Sequence, residues 1–236
     1  MNYRVGSILA IAIFITGCAT QGVNSREYTE NAPIQIKNEI VVSKPQSQVW
    51  DILVKKLSKS FYVVNNIDKE SRIINISFSS DSPCEYVDCG KTHRTYTQGN
   101  KTETYDYDTA GLATFKLATP QQEGPAIVNY ALIRREPSLE GRSNIYISPD
   151  EKDNGKTIVT VNTRYILTIK VNGELVAQDL YGRVYPRGRV PGKTSTVTFN
   201  TNKAGQLDIG NGPKLTCFSK GKLEKDILDM IRGEHK

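Results

Sequence analysis

The sequence predicts an α+β fold: a largely antiparallel, curved sheet with an N-terminal helix and a C-terminal helix packed on it. Three observations predict it. Residues 45 to 59 carry apolar side chains at helical spacing, a run of alternating segments fills the middle of the chain, and helical spacing returns after Ser219. The order is strand, helix, many strands, helix, read as one domain over residues 34–236.

The first strand is Ile34 to Val42, IQIKNEIVV. Ser43-Lys44-Pro45-Gln46 then gives a helix start, with Ser as cap, an early proline and Gln three residues on. That helix runs to about Lys59. Val49, Leu53 and Leu57, with Trp50 and Ile52 beside them, form its apolar stripe, and Trp50 is expected in the core. Phe61–Ile67 and Arg72–Phe78 read as strands joined by the polar turn 68–71. Residues 79–103 read as a long polar loop. Short strands follow around Leu112–Leu117, Ile127–Arg134 and Asn144–Ser148. Thr157 to Tyr185 reads as a hairpin turning at Asn172-Gly173, a type I′ signal. That turn sets Ile169 opposite Val176 and Tyr165 opposite Leu180, all on one apolar face. Residues 186–195 read as a basic loop, with short strands at Thr196–Phe199 and Lys214–Cys217. Ser219 then caps a last helix whose stripe is Leu223, Ile227, Met230 and Ile231.

A chain of 236 residues buries a core without needing cross-links. The net charge is +6, but 25 acidic residues are interspersed with 31 basic ones, which argues against a nucleic-acid partner. With only His93 and His235, a His-rich metal centre is not expected. There is no P-loop, dinucleotide fingerprint, nucleophile elbow or zincin motif. The expectation is a chain without cofactor, metal or catalytic activity.

The first residues give an address. Arg4 precedes an apolar run from Val5 to Ile15. A membrane span needs about 20 residues, so the run reads as the core of a signal peptide. It ends in Ile15-Thr16-Gly17-Cys18, which resembles the lipobox of bacterial lipoproteins. The resemblance implies removal of residues 1–17 and lipidation of Cys18 by diacylglycerol and an amide-linked acyl chain such as palmitate. Several buried acyl chains anchor a protein lastingly. Ala19 stands where lipoproteins kept in the inner membrane often carry Asp, which implies the outer membrane, on a face left open. Residues 18–33, polar and aperiodic, read as a flexible tether.

Residues 34–78, and above all the corner Val42 to Leu53, resemble helix-grip lipoproteins such as the one found in the outer-membrane β-barrel assembly machinery. The resemblance implies a helix-grip domain. It carries over no functional residue, because the chain lacks that lipoprotein's second domain and long N-terminal arm.

Three further cysteines remain. Cys84 and Cys89 are the nearest pair and are read as a local disulfide; a bridge from either to Cys217, or none, stays open. A loop this short gains about 2 kcal/mol from cross-linking. Cys84, Cys89 and His93, with Asp88 nearby, also have metal-like spacing but fall short of a four-ligand zinc site. Tyr86, Tyr96, Tyr105 and Tyr107 crowd the same stretch with Asp81, Glu85, Asp88, Glu103, Asp106 and Asp108. Tyr86 and Tyr96 are the expected partner contacts. The acidic residues leave open a carboxylate pair for glycan hydrolysis. Arg183, Arg187, Arg189 and Lys193 form a basic cluster for anionic lipid headgroups or a glycan, or for solubility alone. Together these features predict a membrane-anchored envelope lipoprotein that binds another envelope protein as a non-enzymatic accessory. The alternatives are a carrier of an apolar ligand in a helix-grip cavity and a peptidoglycan or glycan hydrolase.

Overall fold

The computed structural model describes residues 22–120, 127–208 and 214–232. The expected signal peptide, the expected lipidation site Cys18, and His235 lie outside them. The chain opens with β1 (Val23–Thr29), β2 (Glu39–Val42), helix α1 (Gln46–Leu57), β3 (Val63–Asp68) and β4 (Ile73–Ser80). A single 3-10 turn at Pro83–Glu85 leads to β5 (Val87–Asp88), β6 (Lys91–Gln98), β7 (Lys101–Asp108) and β8 (Ala113–Ala118). Two long strands follow, β9 (Ile127–Asp150) and β10 (Asp153–Asp179). The chain then forms β11 (Val184–Asn200), β12 (Gly205–Leu207), β13 (Leu215–Ser219) and helix α2 (Lys222–Arg232).

β9 and β10 pair antiparallel along nearly their whole length and form the spine of a seven-stranded sheet. Each spine strand is flanked twice on its outer edge. β2 takes Thr157–Thr160 of β10 and β11 takes the stretch from Arg164 to Gln178. β4 takes β9 from Leu139 to Tyr146, with β3 outside it, and β8 takes β9 from Tyr130 to Arg135. A second sheet has the order β1-β6-β7, and a small third one β12-β13-β5.

This is a β-rich fold, 63% strand and 13% helix among the described residues, and it corrects the expected α+β helix-grip class. The reason is reach. A 12-residue helix such as α1 is about 18 Å long. A 24-residue strand such as β9 runs about 80 Å. Two short helices cover one end of such a face, and the β1-β6-β7 sheet covers the other. Under the helices, Val49, Leu53, Leu57, Leu223, Ile227 and Ile231 are buried against Ile74, Ile76, Ile145, Ile147, Val159 and Val161. Trp50 is buried there as expected. Both stripes lie where the sequence places them, because they are local patterns. Ser43 is not a cap, however: Pro45 holds that position and no side chain caps α1.

The predicted hairpin at Asn172-Gly173 does not exist. β10 runs straight through, with Asn172 opposite Arg134 and Gly173 opposite Ile133 on β9. Tyr165 faces Gly141 and Phe199, and Ile169 faces Pro137 and Ser195. A Cβ on Gly173 would come within 2.7 Å of the Leu132 carbonyl oxygen and 2.9 Å of Ile133 Cδ1. The register against β11 also shifts between Val171 and Gly173. The glycine therefore serves a close strand approach at a bulge, not a turn. The stretches read as loops, 79–103 and 186–195, are mostly β4, β6, β7 and β11, and residues 23–29 of the expected tether are β1.

The disulfide is also corrected. Cys89 bonds Cys217, and Cys84 is a free, half-buried thiol whose pKa is raised by burial. The bond joins the residues just before β6 to β13, across 128 positions of sequence. Beside it the core holds a buried polar cluster. Tyr165 donates its hydroxyl to both carboxylate oxygens of Glu224, at 3.0 and 2.9 Å, and Thr201 donates to the same carboxylate at 2.9 Å. Ser219 donates to the Tyr165 hydroxyl at 3.3 Å and accepts the Gly221 N–H at 2.9 Å. Among the described residues no helix is long and apolar enough to cross a membrane.

Candidate functional site

Where the β1-β6-β7 sheet covers the far end of the spine, the two layers leave a pocket with a cavity volume of about 220 Å³. β8, β9, β10, β12 and β13 supply an apolar floor that includes Phe115, Ile133, Ile169, Leu207 and Leu215. The polar wall comes from Arg26 on β1, Arg94 on β6, Arg135 on β9 and Lys193 on β11. No Asp or Glu among the described residues lines it.

Strand register makes this concentration of charge. Arg26 and Arg94 stand directly opposite each other in the β1–β6 pair. Like charges so placed destabilise an antiparallel pair. Arg94 donates from Nε to the Tyr107 hydroxyl at 2.9 Å, and its guanidinium lies 4.5 Å over the Phe115 ring. The Tyr107 and Phe115 rings are stacked 5.9 Å apart. Arg135 enters from the facing sheet and is only 6% exposed. It donates from Nη1 to the Gly111 carbonyl at 2.9 Å and lies 5.8 Å from the Tyr107 ring. Burial, then the charges of Arg26 and Arg94, push its pKa down to about 10, so it remains a cation at neutral pH. Burial and Arg94 lower the pKa of Arg26 as well. Among the described residues no carboxylate forms an ion pair with any of the three.

A second feature is the β10–β11 turn. Asp179 Oδ1 accepts the backbone N–H groups of Tyr181 and Arg183, each at 2.9 Å. Its Oδ2 accepts Arg183 Nε at 2.7 Å and the Tyr185 hydroxyl at 3.2 Å. This well-bonded turn holds Leu180 77% exposed and Tyr181 85% exposed, with Val184 and Tyr185 also exposed beside them. The Arg183 guanidinium lies 5.3 Å from the Tyr181 ring. Arg187, Arg189 and Lys193 continue along β11, not in a loop.

The expected partner contacts Tyr86 and Tyr96 are core residues, 7% and 4% exposed. Tyr86 packs on Phe78 and Tyr96 on Tyr130. They sit on the inward register of an ordered hairpin and its approach, so they cannot serve as exposed anchors. Cys89 is oxidised, and His93 pairs across the hairpin with Asp106, its Nδ1 lying 2.6 Å from Oδ1. The metal-like spacing therefore brings no ligand set together. Of the acidic residues, Asp88 accepts Asn31 Nδ2 and the Gly90 N–H. Glu103 accepts the Tyr105 hydroxyl and Lys116 Nζ, each at 2.6 Å. Asp81, Glu85 and Asp108 are exposed. The pocket is lined by no residue of either helix, so it is not a cavity gripped by α2.

Sequence reasoning missed Arg26, Arg94 and Arg135. One signal was present: Arg135 lies in phase with Ile133, Pro137 and Leu139, an arginine on an otherwise buried register. No family model matches the chain, and comparison with curated proteins and with solved structures gives no match.

Proposed function

We infer that the chain is an outer-membrane lipoprotein anchored through Cys18, whose folded part is a non-enzymatic accessory that binds another envelope protein. The observation that carries the reading is the β10–β11 turn. Exposed apolar side chains on a loose turn mean little, but here Asp179 holds the backbone of Tyr181 and Arg183 in place. A pre-ordered surface loses less freedom on binding. Tyr and Arg, the residue types enriched in interface hot spots, stand together on it. The anchorage rests on the Ile15–Cys18 sequence and the short apolar run before it.

The test has two parts. Cys18→Ala should abolish metabolic palmitate labelling and leave a larger precursor. A photo-cross-linker at position 181 should yield one discrete adduct with an envelope protein, lost in Leu180→Ser and Arg183→Ser. Undiminished labelling of Cys18→Ala would sink the anchorage. An active site should be sought instead if Asp88→Asn or Asp106→Asn abolishes cellular function at normal abundance while the turn variants are silent.

A further inference from the structure

The arginine-lined pocket is a separate feature from the β10–β11 turn. We propose that it binds a small organic anion, a carboxylate or phosphate ester carried on an apolar group about the size of one ring. The charge argument comes first. Arg26 and Arg94 are cross-strand neighbours, Arg135 reaches the same space from the opposite sheet, and no acidic side chain among the described residues lines the pocket. Arg135 is nearly buried, yet the Gly111 carbonyl is the one hydrogen-bond acceptor it has among the described residues. A guanidinium carries five N–H donors in a planar fork that matches carboxylate and phosphate oxygens. A buried cation without a counter-ion is costly, and a bound anion removes that cost.

The floor then decides what carries the anion. Phe115, Ile133, Ile169 and Leu215 offer a bare inorganic ion nothing to hydrogen-bond, and a neutral apolar ligand would leave the arginines unmatched. The volume of about 220 Å³ exceeds the roughly 150 Å³ of a cavity that takes up benzene, leaving room for a ring and a charged group together. The same chemistry is found in a soluble metabolite and in the headgroup region of an acidic lipid.

Isothermal titration of the full mature lipoprotein in non-ionic detergent tests the proposal. Phenyl phosphate and benzoate are the probes; inorganic phosphate and benzyl alcohol are the controls. The expected result is saturable one-site binding of a probe, at least about tenfold tighter than either control. Arg94→Gln and Arg135→Met should each weaken it by about tenfold or more, while Arg164→Gln, exposed on β10, should not. Arg94 is half-exposed, so its variant keeps the test open if Arg135→Met fails to fold. Displacement of phenyl phosphate by phosphatidylglycerol, but not by phosphatidylcholine, in mixed micelles identifies a lipid source; displacement by neither identifies a soluble anion. The proposal is overturned if neither probe saturates, if inorganic phosphate binds as well as phenyl phosphate, or if folded Arg94→Gln binds undiminished. None of these outcomes depends on the turn variants, so the two readings fail separately.

Discussion

Cutting the Cys89–Cys217 bond should be the most destabilising single covalent change available to this domain. The bond closes a loop across 128 positions. In the chain-entropy model such a loop removes roughly 16 to 17 cal/mol/K from the unfolded chain, or about 5 kcal/mol at 25 °C. A bridge between Cys84 and Cys89 would close about five residues and contribute only about 2 kcal/mol. The two pairings therefore predict different magnitudes as well as different peptides. The double variant Cys89→Ala/Cys217→Ala should be compared with wild type and Cys84→Ala by urea unfolding. Trp50, the only tryptophan and buried on the core-facing side of α1, supplies the fluorescence signal. With a slope of about 2 kcal/mol/M, the double variant's midpoint should fall by about 2.5 M. Cys84→Ala should move it much less, since that thiol closes no loop. The reasoning is refuted if the double variant stays within about 0.5 M of wild type, or if Cys84→Ala costs as much. Non-reducing peptide mapping should recover Cys89 joined to Cys217.

Three other expectations rest on burial and on charge. Glu224→Ala strips acceptors from the hydroxyls of Tyr165 and Thr201 inside the core and should cost about 3 kcal/mol, whereas Glu224→Gln keeps an acceptor and should cost about 1, both read from chemical denaturation. Tyr86→Ala and Tyr96→Ala should each destabilise by about 3 to 5 kcal/mol as emptied core sites, a loss that thermal melting would show before any binding assay. The hydrogen bond that His93 donates to the Asp106 carboxylate raises the pKa of His93. That pair stabilises the β6–β7 hairpin fully below the unfolded value of about 6.5 and loses its effect as pH rises through the higher folded value. An NMR titration of His93 should thus show a midpoint above 6.5 that falls back in Asp106→Asn, and a wild-type midpoint at or below 6.5 would contradict this.

What was legible in the sequence was local. The stripes of α1 and α2 repeat every three to four residues and announce themselves. The β3–β4 connection is a tight polar turn, and Asp68 accepts the N–H groups of Glu70 and Ser71 there. What was not legible depends on distant partners. Asn172-Gly173 has a turn's composition, and only the approach of β9 shows that its glycine accommodates a neighbouring strand. Cys89 and Cys217 come together because β5 pairs with β13, a contact no spacing rule contains. Thr92, Arg94 and Tyr96 alternate in a polar segment, and polar strands look like loops until the sheet that buries one face is known. The same ambiguity made Tyr96 resemble a surface contact and made Arg26 resemble part of a leash.

The strand formed by residues 23–29 has a consequence for how the molecule stands. Under the proposed anchorage, only residues 19–22 separate the lipidated Cys18 from β1, a span of at most about 18 Å when fully extended. Gly22 lies against Ala118 and Tyr96. Ala118, Tyr130 and Val176 form one cross-strand row, three residues before Asp179 and the β10–β11 turn. The chain thus leaves for the membrane from the end of the molecule that carries Leu180 and Tyr181. So short a mooring keeps that end of the domain within about 18 Å of the lipid-bearing residue. Under that anchorage, a partner that meets Tyr181 would do so close to the bilayer. The helix-covered end lies some tens of ångströms from that turn, by the length of β10.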